Sequence, residues 1–266
     1  MNPKALLRRT ARKVVYRIKY GVPLFQRDPD IENIPNVLDM IGPIRSCAII
    51  GRGASVKACN PLEHIQQCDF KVIMNRVEIE SLTDFLGDHI DAQIAQPPGG
   101  VITVLPKNLV EQFGLRFLIS NKLKTSDTFK RFYSAYYNRG VPITCVPDDS
   151  EMKYDFCKYK YPHRTQCGSL LKILYNIDTL EKIVFAGVDF FRFDYVTQGK
   201  DTRVFPKMLE SAQEDKGDPL FKFIVETVQL RNKIRPLTVY FPYILKPLLD
   251  FPSLDCFRFY GEPDDS

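Results

Sequence analysis

The run Cys47-Ala48-Ile49-Ile50-Gly51-Arg52-Gly53-Ala54-Ser55-Val56-Lys57 constrains this chain more than any other stretch. A short continuous apolar segment emptying into glycines predicts a strand buried on both faces, as in a parallel sheet, that leads into a tight turn. Glycine in such a turn lets the backbone approach a ligand closely. A helix following it would aim its free N–H groups at a phosphate. Gly-x-Gly by itself also suits an ordinary strand-to-helix loop, so its weight depends on its company.

That company is a repeated alternation of strand and helix. Strands are predicted at 45–50, 68–76, 116–121, 141–146 and 237–241. A further strand over 91–100 breaks into a Pro-Pro-Gly-Gly loop, and the run 181–191 ends in Gly187-Val188-Asp189. Helical patterns cover 54–66, 126–139, 168–180 and 219–234. The aromatic stripe Phe129, Phe132, Tyr133, Tyr136 and Tyr137 falls at i, i+3, i+4, i+7 spacing and reads as core. This order predicts an α/β fold, a mostly parallel sheet with helices on both faces. Residues 192–219 are polar and aperiodic, as expected of a lid. The organisation is then a basic helix over 1–20, a proline-rich linker over 21–44 and one domain over 45–258.

Charge is unevenly placed. The formal net charge is +5, yet residues 1–20 hold seven Lys and Arg and no acid, leaving the remainder mildly acidic. Apolar residues at 5, 6, 14, 15 and 18 lie between those cations, the pattern of an amphipathic helix on an anionic membrane surface. A solvated tail and a mitochondrial address are the alternatives for the same segment. A nucleic-acid partner is not expected, because the basic charge is not spread over a folded face. Seven cysteines without Cys-x-x-Cys and three histidines without ligand spacing argue against a zinc site. They point to reduced thiols and a cytoplasmic location, peripheral on the inner membrane if residues 3–20 dock there. No run reaches the roughly 20 apolar residues of a transmembrane helix.

Four strand ends offer polar or glycine residues towards one edge: Gly51, Arg52 and Gly53; Asn75 and Arg76; Gln96; Gly187 and Asp189. In open α/β sheets ligands bind at that edge. The turn Arg164-Thr165-Gln166-Cys167-Gly168 adds a helix N-terminus, which with the Arg164 guanidinium suits a phosphate. Asn75 and Gln96 carry donors and acceptors fit for sugar hydroxyls or a base edge.

Two of these stretches resemble a known family. Residues 47–57 with Cys68-Asp69-Phe70-Lys71-Val72-Ile73-Met74-Asn75 are similar to the first signature motif of sialyltransferases, both the animal enzymes and the bacterial glycosyltransferase family 42. Residues 164–171, continuing through 183–191, resemble the second motif. The likeness covers roughly residues 47–76 and 162–195. It implies a Rossmann-like, GT-A-type domain with a lid. It also implies inverting, metal-independent transfer of an acidic sugar, with a CMP-activated sugar as co-substrate and no separate cofactor. Oligosaccharide or glycolipid acceptors follow from the same resemblance, as does a role in glycan or lipopolysaccharide assembly. By position, Gly51 to Gly53 and Asn75 would meet the cytidine nucleotide, and Gln96 the donor sugar. Gln166, Cys167 and Gly168 would line the donor carboxylate or phosphate, and Tyr195 would support the leaving phosphate.

The chain departs from the family's pattern at several points. Arg52 stands where the bacterial enzymes carry Asn, Gln166-Cys167 replaces a Thr-Ser pair, and Phe191 takes the place of a Tyr. The family's base is a His after the lid, and residues 196–240 contain none. Asp218, Asp215 and Glu214 are carboxylates that would serve instead, with Asp218 first, and His163 is a more distant candidate. Loss of the base equally fits a different sugar acid such as Kdo, or a nucleotide-sugar-binding scaffold without catalysis. A nicotinamide dehydrogenase fits less well, since the third glycine is missing and Asn75 ends the second strand where an acid belongs.

Overall fold

The computed structural model describes residues 27–51, 53, 55–75, 87, 89–96, 104–154, 165–190 and 214–262, the first six of the last span by backbone alone. The elements in chain order are α1 (Val37–Ile41), β1 (Ser46–Ile50), α2 (Ser55–Cys59), α3 (Leu62–Gln66), β2 (Phe70–Met74) and β3 (Ala92–Ala95). There follow α4 (Lys107–Gln112), β4 (Phe117–Ser120), α5 (Asp127–Tyr136), β5 (Ile143–Cys145), α6 (Gln166–Leu174) and β6 (Lys182–Ala186). The chain ends with α7 (Glu214–Ile234), β7 (Thr238–Pro242) and β8 (Phe257–Tyr260).

The eight strands form one sheet in the order β5-β4-β3-β2-β1-β6-β7-β8, and every pair is parallel. Strand β1 is buried at all five positions, which is why it reads as an uninterrupted apolar run. From β1 the chain steps outward to β5, then returns to the other side of β1 and steps outward again to β8. Parallel crossovers are right-handed, so reversing the direction of travel moves the helices to the opposite face. The core divides accordingly. Helices α2 to α5 cover one face with Val56, Ile65, Val110, Phe129 and Phe132. Helices α1, α6 and α7 cover the other with Ile41, Leu170, Leu174, Ile224 and Val228. On that second face Phe241 stacks on Phe185 and meets Phe251 and Phe257 edge-on or tilted. Each such ring contributes about 2 kcal/mol through burial.

Several expected boundaries moved for identifiable reasons. The helix expected over 54–66 is two short helices, because Pro61 lacks a backbone N–H and Asn60 turns back at φ 35°. The expected 168–180 helix stops at Leu174. Beyond it the carbonyls of Ile177 and Leu180 accept from the buried Arg231 guanidinium of α7. Helix α7 starts at Glu214, so the last residues assigned to the lid belong to it. The linker over 21–44 contains α1, capped by the Asn36 side chain. Strand β8 was not expected: four residues after a proline- and aspartate-rich loop carry little periodic signal, and their pairing with β7 is tertiary. Residues 1–20 and 192–213 lie outside the described residues. Among the described residues no helix is long and apolar enough to cross a membrane.

Candidate functional site

The strand order reverses between β1 and β6, and the residues that follow those two strands define the carboxyl edge of the switch point. Gly51 N–H donates to the Ala186 carbonyl at 2.7 Å, and Gly53 N–H to the Gly187 carbonyl at 2.8 Å. A Cβ on Gly51 would lie 2.2 Å from the Gly187 oxygen. One on Gly53 would lie 2.2 Å from the Asp189 carboxylate. Gly187 itself sits at φ 64°, and its own Cβ would meet the Gly51 oxygen at 2.8 Å. These glycines therefore let the turns after β1 and β6 close against one another. The close approach that their spacing announces is made to protein.

Asp189 faces inward. Its carboxylate accepts from the Ser55 backbone N–H at 3.0 Å and from the Ser55 hydroxyl, and both residues are buried. Burial raises the Asp189 carboxyl above its ordinary range, against the lowering effect of the two Ser55 bonds. The carboxylate thus pins the first turn of α2 to the end of β6. Sequence reasoning missed Ser55 as its partner, since 134 residues separate the two.

One strand further out stands Asn75, a left-handed residue at φ 58° just past β2. Its N–H donates to the Ile94 carbonyl at 2.8 Å. Its backbone carbonyl accepts from Gln93 Nε2 at 2.6 Å. Its side-chain Oδ1 accepts from Gln166 Nε2 at 3.0 Å. Gln166 opens α6, whose N-cap Thr165 accepts from the Gly168 N–H at 2.9 Å. The end of β2 and the start of α6 therefore meet, with both amides half-buried and capable of further hydrogen bonds. Cys167 points instead into the core. It is 4% exposed, and burial pushes its thiol up to about 12. Gly168 is buried within the first turn of α6. Gln96 is exposed at the end of β3, on the same edge of the sheet.

Arg52, Arg76, His163, Arg164 and Tyr195 lie outside the described residues. Glu214, Asp215 and Asp218 fall in the first turns of α7. Gln93, which sequence reasoning passed over, is the polar member of the fully buried strand β3 and the only polar side chain that reaches from it to Asn75 among the described residues. A glutamine inside Ala-Gln-Ile-Ala was the signal available. A groove of about 510 Å³ lined by Glu226, Leu230, Lys233 and Cys256 lies elsewhere, at the amino edge ahead of β7 and β8.

No family model matches the sequence, and no curated protein matches it. Two solved structures are similar in fold. One is of a mammalian sialyltransferase, with 13% identity and a TM-score of 0.45 over 81% of this chain and 80% of that one. The other is of a mammalian sialyltransferase in complex with Gal-beta-1-3GalNAc-ortho-nitrophenol. It has 16% identity and a TM-score of 0.34 over 58% of this chain and 60% of that one. Likenesses this distant carry no residue roles across to this chain.

Proposed function

We propose that the carboxyl edge around Asn75 and the start of α6 binds a cytidine nucleotide, and that the protein is an inverting glycosyltransferase moving an acidic sugar from a CMP-activated donor to a glycan acceptor. The observation that carries this reading is the Gln166–Asn75 hydrogen bond of 3.0 Å. It joins, 91 residues apart, the two stretches whose sequence resembles the sialyltransferase motifs. Support also comes from its place on the carboxyl edge one strand from the switch point, the edge at which open α/β sheets bind ligands.

In the proposed reaction the acceptor hydroxyl gives its proton to a carboxylate at the start of α7, Asp218 or Asp215, or to His163. Its oxygen then bonds to the anomeric carbon as the bond from that carbon to the CMP phosphate oxygen breaks. Negative charge grows on the departing phosphate. Arg164, the N–H groups at the start of α6 and the Tyr195 hydroxyl would offset that charge. The glycolipid or oligosaccharide acceptor, and peripheral membrane contact through residues 3–20, belong to the same proposal.

The test is release of CMP from CMP-sialic acid and CMP-Kdo with a panel of acceptors, alongside a cytidine-nucleotide titration. Arg164→Ala should cut turnover by about 100-fold while leaving folding intact. An unchanged rate in that variant removes Arg164 from the mechanism. A second reading, a nucleotide-sugar-binding scaffold without catalysis, draws on a separate observation. The glycine turn is closed onto β6 by Gly187 and Asp189. Binding of CMP without release from either donor favours the scaffold, and absence of CMP binding defeats both.

A further inference from the structure

Gln93 is 0% exposed in the middle of a strand whose other members are Ala92, Ile94 and Ala95. A buried primary amide costs stability unless its donors and acceptor are used. Both of its arms are used, and both reach backbone. Nε2 donates to the Asn75 carbonyl at 2.6 Å, and Oε1 accepts from the Leu105 N–H at 3.0 Å. A carbonyl only accepts and an N–H only donates, so these partners fix which way the amide points. The side chain ties together two connections of the sheet, the residue just past β2 and the approach to α4.

What it holds at one end is unusual. Asn75 is in the left-handed region, which asparagine tolerates better than other side-chain-bearing residues, so a few contacts suffice to select it. Its N–H is taken by the Ile94 carbonyl, so the carbonyl is the one main-chain group left to fix the peptide that follows. Gln93 supplies that contact. With the backbone clamped on both sides, the Asn75 side chain meets Gln166, and the Asn75 Nδ2 donors lie at the same carboxyl edge.

We infer that Gln93 is a positioning residue, holding Asn75 in the left-handed pose in which its amide pairs with Gln166 and serves the cytidine nucleotide. The inference rests on the proposed nucleotide role of Asn75, but the pose itself is observable without ligand. Gln93→Met retains the size of the side chain and loses the donor to Asn75 without adding an ionisable group. Gln93→Leu loses both bonds.

The experiment combines the crystal structure, or the Asn75 and Gln166 side-chain amide NMR signals, of both variants with CMP titrations in the Asn75 and Asn75→Ala backgrounds. In both variants Asn75 should leave the left-handed region, and its amide pairing with Gln166 should be lost. CMP affinity should fall about tenfold with Asn75 present, and the same substitution should change it less than about twofold with Asn75→Ala. A purely structural glutamine would weaken CMP equally in both backgrounds, or leave it unchanged. Either result overturns the inference, as does an unmoved Asn75 in Gln93→Met. Should Gln93→Leu fail to fold, Gln93→Met decides. If the parent binds no CMP, the cytidine reading fails, and the amide signals still decide whether Gln93 sets the Asn75 pose.

Discussion

Replacing Gly51 by Ala separates two uses of the glycine turn. If the glycine exists to admit a ligand, an added methyl lowers affinity and leaves the fold alone. The geometry gives the opposite expectation, because the new Cβ would sit 2.2 Å from the Gly187 oxygen and 2.9 Å from its carbon. Both are backbone atoms, so no side-chain rotation relieves the contact. Overpacking of this kind costs about 1–3 kcal/mol. Pushing the Gly187 carbonyl aside also loosens its bond from the Gly53 N–H, worth about 1 kcal/mol net. Stiffening of the unfolded chain by Ala returns roughly 0.4–1 kcal/mol. The balance is a loss of about 1–3.5 kcal/mol, or roughly 2–14 °C in Tm for a chain of this size. Differential scanning fluorimetry and urea unfolding would measure it. Gly140→Ala is the comparison: it has φ 84° and only an ordinary contact at 3.6 Å, so it bears the left-handed penalty of about 1 kcal/mol and no clash. A Gly51→Ala protein that melts within about 1 °C of the parent would refute the packing argument.

The remaining expectations concern the same architecture. Because burial raises the Asp189 carboxyl, the folded state binds its proton more tightly than the unfolded state does. The stability it contributes therefore falls as pH rises from the ordinary aspartate range through the raised folded value. Urea midpoints of the parent and Asp189→Asn should converge or cross over that interval, and a parallel pair of curves would contradict it. Arg231→Met should cost about 2 kcal/mol, since it strands the buried Leu180 carbonyl and removes one donor from the carbonyls of Ile177 and Arg235. A denaturant midpoint shifted by under about 1 kcal/mol would show that those carbonyls find other donors. Ser55→Ala should destabilise by about 1–2 kcal/mol and leave the Asp189 carboxyl higher still, read by the same pH series.

Much of the fold was legible from local pattern. Seven of the eight strands show as apolar runs because strands buried on both faces are mostly apolar, and the alternation with helical periods follows from parallel pairing. Asn75 could be proposed as a ligand group from its place at a strand end and Gln166 from the motif resemblance, though nothing local joined them. What sequence alone could not show is which surface each feature turns towards. A Gly-x-Gly turn reads the same whether its backbone approaches a phosphate or a neighbouring strand. An aspartate at a strand end reads the same whether it faces solvent or Ser55.

The amino-acid sequence by itself determined the layered α/β character and the edge where polar strand ends gather, because both follow from burial acting at short range along the chain. The tertiary structure decided the strand order, the unexpected β8, the closure of Gly51 and Gly53 onto Gly187 and Asp189, and the bridge from Gln93 to Asn75. Each of those depends on contacts between residues far apart in sequence, where hydrogen-bond polarity and the space left for a single Cβ choose among arrangements that local propensity leaves equivalent.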